Sequence, residues 1–233
     1  MTKIAVIHGV QRKGSTYNIT QQFLEKLSDN ENDIKEFFLP KDEPNFCRGC
    51  FQCFTDNTKC PDYRYIEPIM RVIDEANLIV LTSPVYVYHV TGQMKAFLDH
   101  FGFQWMAHQP NESMFKKQAL IISTAAGGGT KSTIKDIEDN MLFWGVARTY
   151  RYGVNVAAAD WSHVSDKKKL EIENKVEKIA NRIKRKNNNV TPRIKVKALF
   201  YGMRFMQKKF GFNEVDVTYW KKYGWLGKVR PWK

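Results

Sequence analysis

The sequence lacks any long hydrophobic run, and this absence limits the classes of protein to which the chain can belong. No apolar stretch in the 233 residues approaches the roughly 20 residues that a membrane-spanning helix needs. The apolar run at residues 4–7 is too short for the core of a secretory signal peptide. We therefore expect a soluble, cytoplasmic protein with one sizeable core.

Cysteine and histidine are scarce, and their placement excludes further classes. The four cysteines all lie between Cys47 and Cys60, whereas a disulfide framework would spread them along the chain. His89, His100 and His108 lack the spacing of metal ligands. Because His100 follows a helical stripe of apolar residues, we expect it to be a surface or partly buried packing residue.

Acidic residues are scarce in the last third of the chain. Residues 1–160 contain 17 Lys and Arg against 18 Asp and Glu, whereas residues 161–233 contain 20 against 6. Such a basic region is either a solvated charged face or a contact surface for an anionic membrane, nucleic acid, acidic protein or dinucleotide. The chain has no nucleic-acid recognition motif, so we expect no specific nucleic-acid partner.

What the sequence does contain is an alternation of short apolar runs with helical patterns. Strands are predicted at residues 3–8, 33–39, 78–82, 118–123 and 148–157. Helices are predicted between them from apolar residues at three- and four-residue spacing, such as Ile66, Ile69, Met70 and Ile73. This alternation predicts an α/β fold with a parallel sheet.

The loop after the first predicted strand is polar and leads into a helix. It contains neither the G-x-G-x-x-G pattern of dinucleotide sites nor a Walker A sequence. Ser15 or Thr16 can cap the helix, whose first amides lack intrahelical acceptors and lie at the positive end of its dipole. Such a helix start suits a monophosphate. The alternative is an ordinary strand–helix connection with a good N-cap.

Two further loops follow strands at the edge where doubly wound sheets bind ligands. The first runs from Pro84 through Tyr86 and Tyr88, and the second contains Gly127, Gly128 and Gly129. Successive glycines let the backbone approach a flat ring closely. The alternatives are a plain loop with surface tyrosines and a flexible glycine turn.

The run from Ser83 to His100 resembles the flavin-stacking loop and following helix of the flavodoxin-like NAD(P)H-dependent FMN reductases. Gly9, Arg12 and Ser15 match the glycine, arginine and serine of that family's phosphate loop, although Val10 replaces a frequent serine. The resemblance covers about residues 1–185. It implies a doubly wound five-stranded parallel sheet in the order 2-1-3-4-5, with bound FMN and NAD(P)H as co-substrate.

The resemblance also implies which residues contact the cofactor. Those expected at the phosphate are Gly9, Arg12, Ser15, Thr16, Tyr17 and Asn18, and those expected at the ring are Pro84, Val85, Tyr86, Val87, Tyr88, Thr124, Ala125, Gly127, Gly128 and Gly129. No catalytic side chain is implied, because the flavin carries the chemistry.

The implied activity is electron transfer from NAD(P)H through FMN in a homo-oligomer. The acceptor would be a quinone, a nitro or azo compound, a metal ion or an iron–sulfur cluster. The alternative is a flavodoxin-like electron carrier that has no NAD(P)H site of its own and is tethered by its basic tail.

Cys47, Cys50, Cys53 and Cys60 have the spacing C-x2-C-x2-C-x6-C-P. This spacing resembles the compact ligand set of iron–sulfur flavoproteins. We expect the four side chains to point into one small volume beside the flavin edge. They would hold a [4Fe–4S] cluster or form a reduced thiol loop over the flavin, with a zinc site as a third alternative.

Residues 191–233 are predicted to form a helical, basic and aromatic C-terminal extension, separate from a flavodoxin-like domain at 1–185. Its helical stripe consists of Val196, Leu199, Phe200 and Met203. We favour docking of this stripe on its own domain or on a second subunit, because the apolar face is of ordinary size. The alternative is binding to an anionic membrane surface.

Overall fold

Five parallel strands form the centre of the computed structural model, which describes residues 2–28, 30–158, 160–187, 189–211 and 213–233. The strands are β1 (Ile4–His8), β2 (Ile34–Phe38), β3 (Leu78–Pro84), β4 (Gln118–Ala125) and β5 (Arg148–Asn155). Their order is β2-β1-β3-β4-β5, and every neighbouring pair is parallel. The predicted α/β class and the strand order 2-1-3-4-5 are confirmed.

Helices cover both faces of the sheet. They are α1 (Ser15–Leu27), α2 (Tyr63–Glu75), α3 (Gly92–His100), α4 (Thr130–Phe143), α5 (Asp166–Lys184), α6 (Ile194–Lys209) and α7 (Glu214–Lys222). The apolar sides of α2, α3 and α4 pack on one face, and those of α1 and α5 on the other. Within the ranges described above, no helix combines the length and the apolar character needed to cross a bilayer.

Two expectations about the end of α3 differ from the structure. The spacing of Met94, Phe97, Leu98 and Phe101 predicts a helix over 93–104, but α3 ends at His100, and Gly102–Gln104 forms a short 3-10 helix. A glycine in the predicted last turn disfavours continuation of the α-helix. His100 is 3% exposed, so the expectation of a surface or partly buried position is wrong. Its burial is compensated by Glu43 and Asp62, which the sequence pattern did not connect to it.

The C-terminal segment packs on its own chain. Val196 and Phe200 of α6, with Trp220 and Trp225, enclose the side chain of Phe115 and that of Met106. The indole Nε1 of Trp220 donates a 2.8 Å hydrogen bond to the carbonyl of His108. The favoured docking of this stripe is therefore seen within one chain. The division into separate units at 1–185 and 191–233 stays a prediction.

Candidate functional site

The start of α1 lies at the carboxyl edge of the sheet and carries an unsatisfied hydroxyl. Its N-cap is Gly14, which provides no side-chain cap, so the expectation that Ser15 or Thr16 caps the helix is wrong. Ser15 is instead the first helical residue, 8% exposed, and its Oγ has no hydrogen-bond partner within the described part of the chain. The first amides of a helix also lack intrahelical acceptors. The donors at this helix start can therefore bind an anionic oxygen.

An open cleft of about 200 Å³ lies beside this helix start. Eight of the residues expected to contact the cofactor line it: Arg12, Ser15, Thr16, Pro84, Val85, Tyr86, Thr124 and Ala125. The structure thus brings together parts of all three loops that the sequence indicated.

Thr16 and Thr124 join two of these loops at the cleft. Their hydroxyl oxygens lie 2.7 Å apart in a buried hydrogen bond, which links the first turn of α1 to the end of β4. The amide of Val85 donates to the carbonyl of Thr124 over 2.8 Å. Thr124 therefore fixes the position of both flanking loops.

The loop after β3 forms a tight turn with unusual backbone angles. Tyr86 and His89 exchange backbone hydrogen bonds of 3.0 and 3.1 Å. Between them, Val87 and Tyr88 have φ values of 47° and 66°. A β-branched residue in this left-handed region is strained, and such strain often accompanies ligand loops. Val87 and Tyr88 are exposed and do not line the cleft, whereas Tyr86 does.

The glycine loop after β4 has one tightly packed member and two open ones. Gly129 has φ +93°, and a β-carbon built on it would lie 2.6 Å from Cγ1 of Val85. A β-carbon on Gly127 or Gly128 would meet nothing within 4 Å. The side-chain amide Nδ2 of Asn155 donates to the carbonyl of Gly127 over 2.6 Å, which anchors this open stretch.

Three of the expected phosphate contacts have other partners in the structure. The carbonyl of Gly9 accepts a 2.7 Å hydrogen bond from Oγ1 of Thr91, and its α-carbon packs closely on β3. The ring of Tyr17 lies against that of His8, and Asn18 donates to the carbonyl of Gly14. None of the three lines the cleft, so their contact with the cofactor stays a prediction.

Several lining residues were not identified from the sequence. They are Val10, Gly14, Ala126, Val156 and Ala158. The last two follow β5, so the rule that ligands bind outside the carboxyl ends of strands could have indicated them. Arg12 forms a 2.7 Å ion pair with Asp160 in the same segment, and no local pattern connects residues 148 positions apart.

A second cavity, of about 350 Å³, is lined by all four cysteines. Cys47 and Cys50 are exposed, whereas Cys53 and Cys60 are half-buried. Burial, reinforced by the neighbouring thiols, raises the pKa of Cys53 to about 11. Burial also raises the pKa of Cys60. In the described ranges, no three His, Cys, Asp or Glu side chains are arranged to hold one metal ion.

A buried ionic cluster forms the wall of the cysteine cavity. His100 Nδ1 lies 3.0 Å from a carboxylate oxygen of Glu43, and its Nε2 lies 3.4 Å from one of Asp62. Burial lowers the pKa of His100, but the two carboxylates outweigh this effect and raise it overall. His100 and Asp62 both line the cavity.

The cysteine cavity and the cleft share no lining residue. All four cysteines line one cavity, which lies between the start of α2 and the end of α3. The expectations that their side chains point into one small volume and that this volume adjoins the flavin edge stay predictions.

Comparisons with known proteins agree with this fold. Residues 2–159 match the family model of NADPH-dependent FMN reductase. An iron–sulfur flavoprotein of Archaeoglobus fulgidus is 22% identical over 178 residues, which is 76% of this chain and 79% of that protein. One of Methanocaldococcus jannaschii is 27% identical over 146 residues, 60% of this chain and 72% of that protein.

The solved structures include an azoreductase from Bacillus anthracis with a TM-score of 0.58 and 14% identity. The match covers 78% of this chain and 100% of that one. At this identity the structural match supports the fold alone. Together, the matches confirm the resemblance inferred from the sequence and the flavodoxin-like fold. The family match ends before the basic C-terminal segment.

Proposed function

The chain belongs to the NADPH-dependent FMN reductase family and is an FMN-dependent oxidoreductase; on this premise we propose that it oxidises NAD(P)H and reduces a small acceptor. FMN and NAD(P)H, expected from the sequence, are the cofactor and co-substrate of that family. We propose three classes of electron acceptor: quinones, nitro or azo compounds, and metal ions.

The observation that carries this proposal is the unpartnered hydroxyl of Ser15 at the uncapped start of α1. A buried donor without a partner destabilises the folded protein by about 1–3 kcal/mol. A ligand that accepts a hydrogen bond from this donor removes the penalty, which favours binding. An anionic phosphate also gains from the positive end of the helix dipole. The donors at this site therefore fit the monophosphate of FMN.

The remaining residues of the cleft fit a flat ring. Pro84, Val85 and Tyr86 give the cleft an apolar and aromatic lining, and Thr124 and Ala125 line it on the neighbouring strand. The open backbone at Gly127 and Gly128 leaves room for close approach. When bound, FMN supplies the ability to accept hydride from a nicotinamide and to pass on electrons. The chain's own residues hold the phosphate and limit access of water to the ring.

We further propose that the four cysteines hold a [4Fe–4S] cluster. In a zinc site all sulfurs lie about 2.3 Å from one ion, whereas in such a cluster each thiolate binds a different iron. The four cysteines line one cavity, and in the described ranges no three His, Cys, Asp or Glu side chains are arranged for a single ion, which fits the second case better. Burial is the main cause of the raised pKa of Cys53 and repulsion from the neighbouring thiols adds to it; a cationic centre would offset this repulsion.

The direct test is anaerobic purification followed by identification of the released flavin and assay of NADH and NADPH oxidation. We expect FMN, and oxidation of at least one nicotinamide without any added reductase. Recovery of FAD, or of no flavin after reconstitution, would contradict the cofactor assignment. Bound FMN without nicotinamide oxidation would favour the electron-carrier alternative. The mass of the native protein in solution tests the expected homo-oligomer.

A matched pair of variants tests the role of Ser15. Ser15→Ala should weaken FMN binding by about 1.5–3 kcal/mol, the usual range for a hydrogen bond to a charged group. It should raise the unfolding free energy of flavin-free protein by up to about 1–3 kcal/mol, because it removes a buried donor that has no partner there. Ser113→Ala is the control, since the Ser113 hydroxyl is likewise buried without a partner but lies outside the cleft. Equal FMN affinity of both variants would remove Ser15 from the site.

A further inference from the structure

Helix α6 has two apolar faces, and only one of them is covered. Val196 and Phe200 are buried against Phe115 and Met106. On another side, Ile194, Tyr201 and Phe205 are 85%, 47% and 57% exposed. Their spacing of seven and four residues places them on one helix face. An exposed stripe of this kind along a surface helix indicates a contact surface.

The charge around this exposed stripe has one sign. Residues 178–213 contain 11 Lys and Arg and no Asp or Glu. Lys209 Nζ lies 5.6 Å from the ring centre of Phe205, and the guanidinium of Arg230 lies 5.2 Å from that of Tyr201. Lys195 and Lys208 are exposed on the same helix. The stripe is therefore an apolar ridge within a cationic surface.

We infer that this ridge binds an anionic lipid surface and that α6 lies in the membrane interface. The exposed side chains of Ile194, Tyr201 and Phe205 would enter the boundary between headgroups and acyl chains. The flexible lysines around them would reach the anionic headgroups, as expected for an interfacial basic helix. This inference is independent of the proposed FMN chemistry.

The composition of the ridge indicates which kind of partner binds there. A second copy bound through the same face would place cations against cations, which disfavours a symmetric dimer there. Contact with nucleic acid would use the charges but would not require Ile194, an aliphatic side chain, to be so exposed. A fluid bilayer can adapt to an exposed helix face and bury its apolar side chains without a preformed groove.

The position of α6 allows lipid binding and catalysis to coexist. The amide of Arg193, just before α6, donates to the carbonyl of Ala147 at the start of β5. Asn187 donates to the hydroxyl of Thr2, just before β1. The start of α6 therefore lies at the amino edge of the sheet, while the cleft lies at the carboxyl edge. A protein held by α6 would keep its cleft open to solvent.

The test is co-sedimentation of the full-length, flavin-loaded protein with vesicles. Probes are phosphatidylcholine vesicles and vesicles that also contain phosphatidylglycerol, at about 0.1 M salt, where the Debye length is about 10 Å. We expect binding to the anionic vesicles alone and partial release at about 1 M salt, where that length falls to about 3 Å. Failure to bind anionic vesicles would overturn the inference.

Paired variants separate insertion from simple charge attraction. Ile194→Ser and Phe205→Ser should each lower the partition coefficient by about tenfold, because each removes an apolar side chain from the interface. Leu170→Ser is the control, since Leu170 is 60% exposed on α5, outside the ridge. Lys208→Glu should also lower binding, whereas Lys26→Glu on α1 should have little effect. The circular dichroism spectrum and the thermal unfolding midpoint should be unchanged in all variants, which shows that they are folded.

Two results besides absent binding would contradict the inference. If Ile194→Ser and Phe205→Ser bind as tightly as the parent protein, the ridge does not insert. The second contradicting result concerns soluble polyglutamate. If it binds the parent protein more tightly than the Phe205→Ser variant and also prevents vesicle binding, the surface binds an acidic polypeptide instead of lipid.

Discussion

The guanidinium of Arg12 donates a 2.7 Å hydrogen bond to the carboxylate of Asp160. This contact joins the loop after β1 to the segment after β5 and holds the arginine beside the cleft. Both side chains are more than half exposed, so the pair adds little to stability. Its consequence is competition: a phosphate that enters the cleft must share Arg12 with Asp160 or displace it.

Arg12→Ala should weaken FMN binding by about 1.5–3 kcal/mol, because it removes a charged donor from the phosphate. Arg12→Lys should lose less affinity, since it keeps the charge without the forked geometry. Asp160→Asn is the matched test of competition and should leave FMN affinity equal or increase it. The measurement is titration of flavin-free protein by fluorescence. An unchanged dissociation constant in Arg12→Ala would show that the arginine does not reach the phosphate.

The glycine loop offers a prediction that separates packing from ligand binding. Gly129→Ala should destabilise flavin-free protein by about 1–3 kcal/mol, because its φ is +93° and the new methyl group would collide with Val85. Gly128→Ala meets no atom within 4 Å and should leave stability nearly unchanged. If the ring packs on this open backbone, Gly128→Ala should nevertheless weaken FMN binding. Equal effects of both substitutions on the free energy of unfolding in denaturant would contradict the close packing of Gly129 against Val85.

The buried histidine predicts a pH dependence of stability. The pKa of His100 is raised above its ordinary value of 6.5 by Glu43 and Asp62, despite burial. The folded protein therefore holds this proton more tightly than the unfolded chain does. The stabilisation is fully present below pH 6.5 and is lost as the pH rises through the folded-state pKa.

His100→Asn should remove this loss of stability above pH 6.5, and His163→Asn, at an exposed position, should retain it. The measurement is the free energy of unfolding of each flavin-free variant across this pH range. Lys117, whose pKa burial lowers to about 8, also titrates in this range, but its contribution is common to all variants and cancels in the difference. Parallel curves for the parent protein and His100→Asn would contradict the predicted role of the ion pairs.

The cysteines provide a prediction for both the loaded and the metal-free protein. Anaerobically reconstituted protein should contain about four iron and four sulfide per chain, as a [4Fe–4S] cluster requires. In metal-free protein at neutral pH, Cys53 should be alkylated more slowly than Cys47 and Cys50, because it is half-buried with a pKa of about 11. Mass spectrometry of alkylated peptides measures this order. Absence of iron after reconstitution, with equal modification rates, would contradict both expectations.

Cys53→Ser should lower the iron content while leaving FMN binding unchanged, because the cysteine cavity shares no lining residue with the cleft. Loss of flavin together with iron would show that the two sites depend on each other.

The sequence predicted those parts of the fold that depend on local patterns. The buried runs of β1, β3 and β4 are continuous and apolar, and the loops after them lie where an α/β sheet binds ligands. In the predicted stripe of α2, Ile66, Ile69 and Ile73 are buried, and Met70 is partly buried against the same core.

The features that were missed depend on residues far apart in the chain or on backbone angles. His100 is buried because Glu43 and Asp62 meet it in space, and Arg12 is held by a carboxylate 148 residues away. The left-handed angles of Val87 could not be predicted, because β-branched residues rarely adopt them. Ser15 or Thr16 was expected to cap α1, but Gly14 takes that position, and the Ser15 hydroxyl has no partner in the described part of the chain.

The hydrogen bond from Trp220 to the carbonyl of His108 spans 112 residues, and it has a consequence for protein synthesis. During translation, every strand of the sheet leaves the ribosome before α6 and α7 do. Phe115 and Met106 will therefore be exposed on a nascent domain whose sheet can already form. Transiently uncovered apolar surface of this kind promotes aggregation. A ribosome that stalls after residue 190 would release a chain in which this surface is never covered, and such a product would be a natural client for chaperones and proteases.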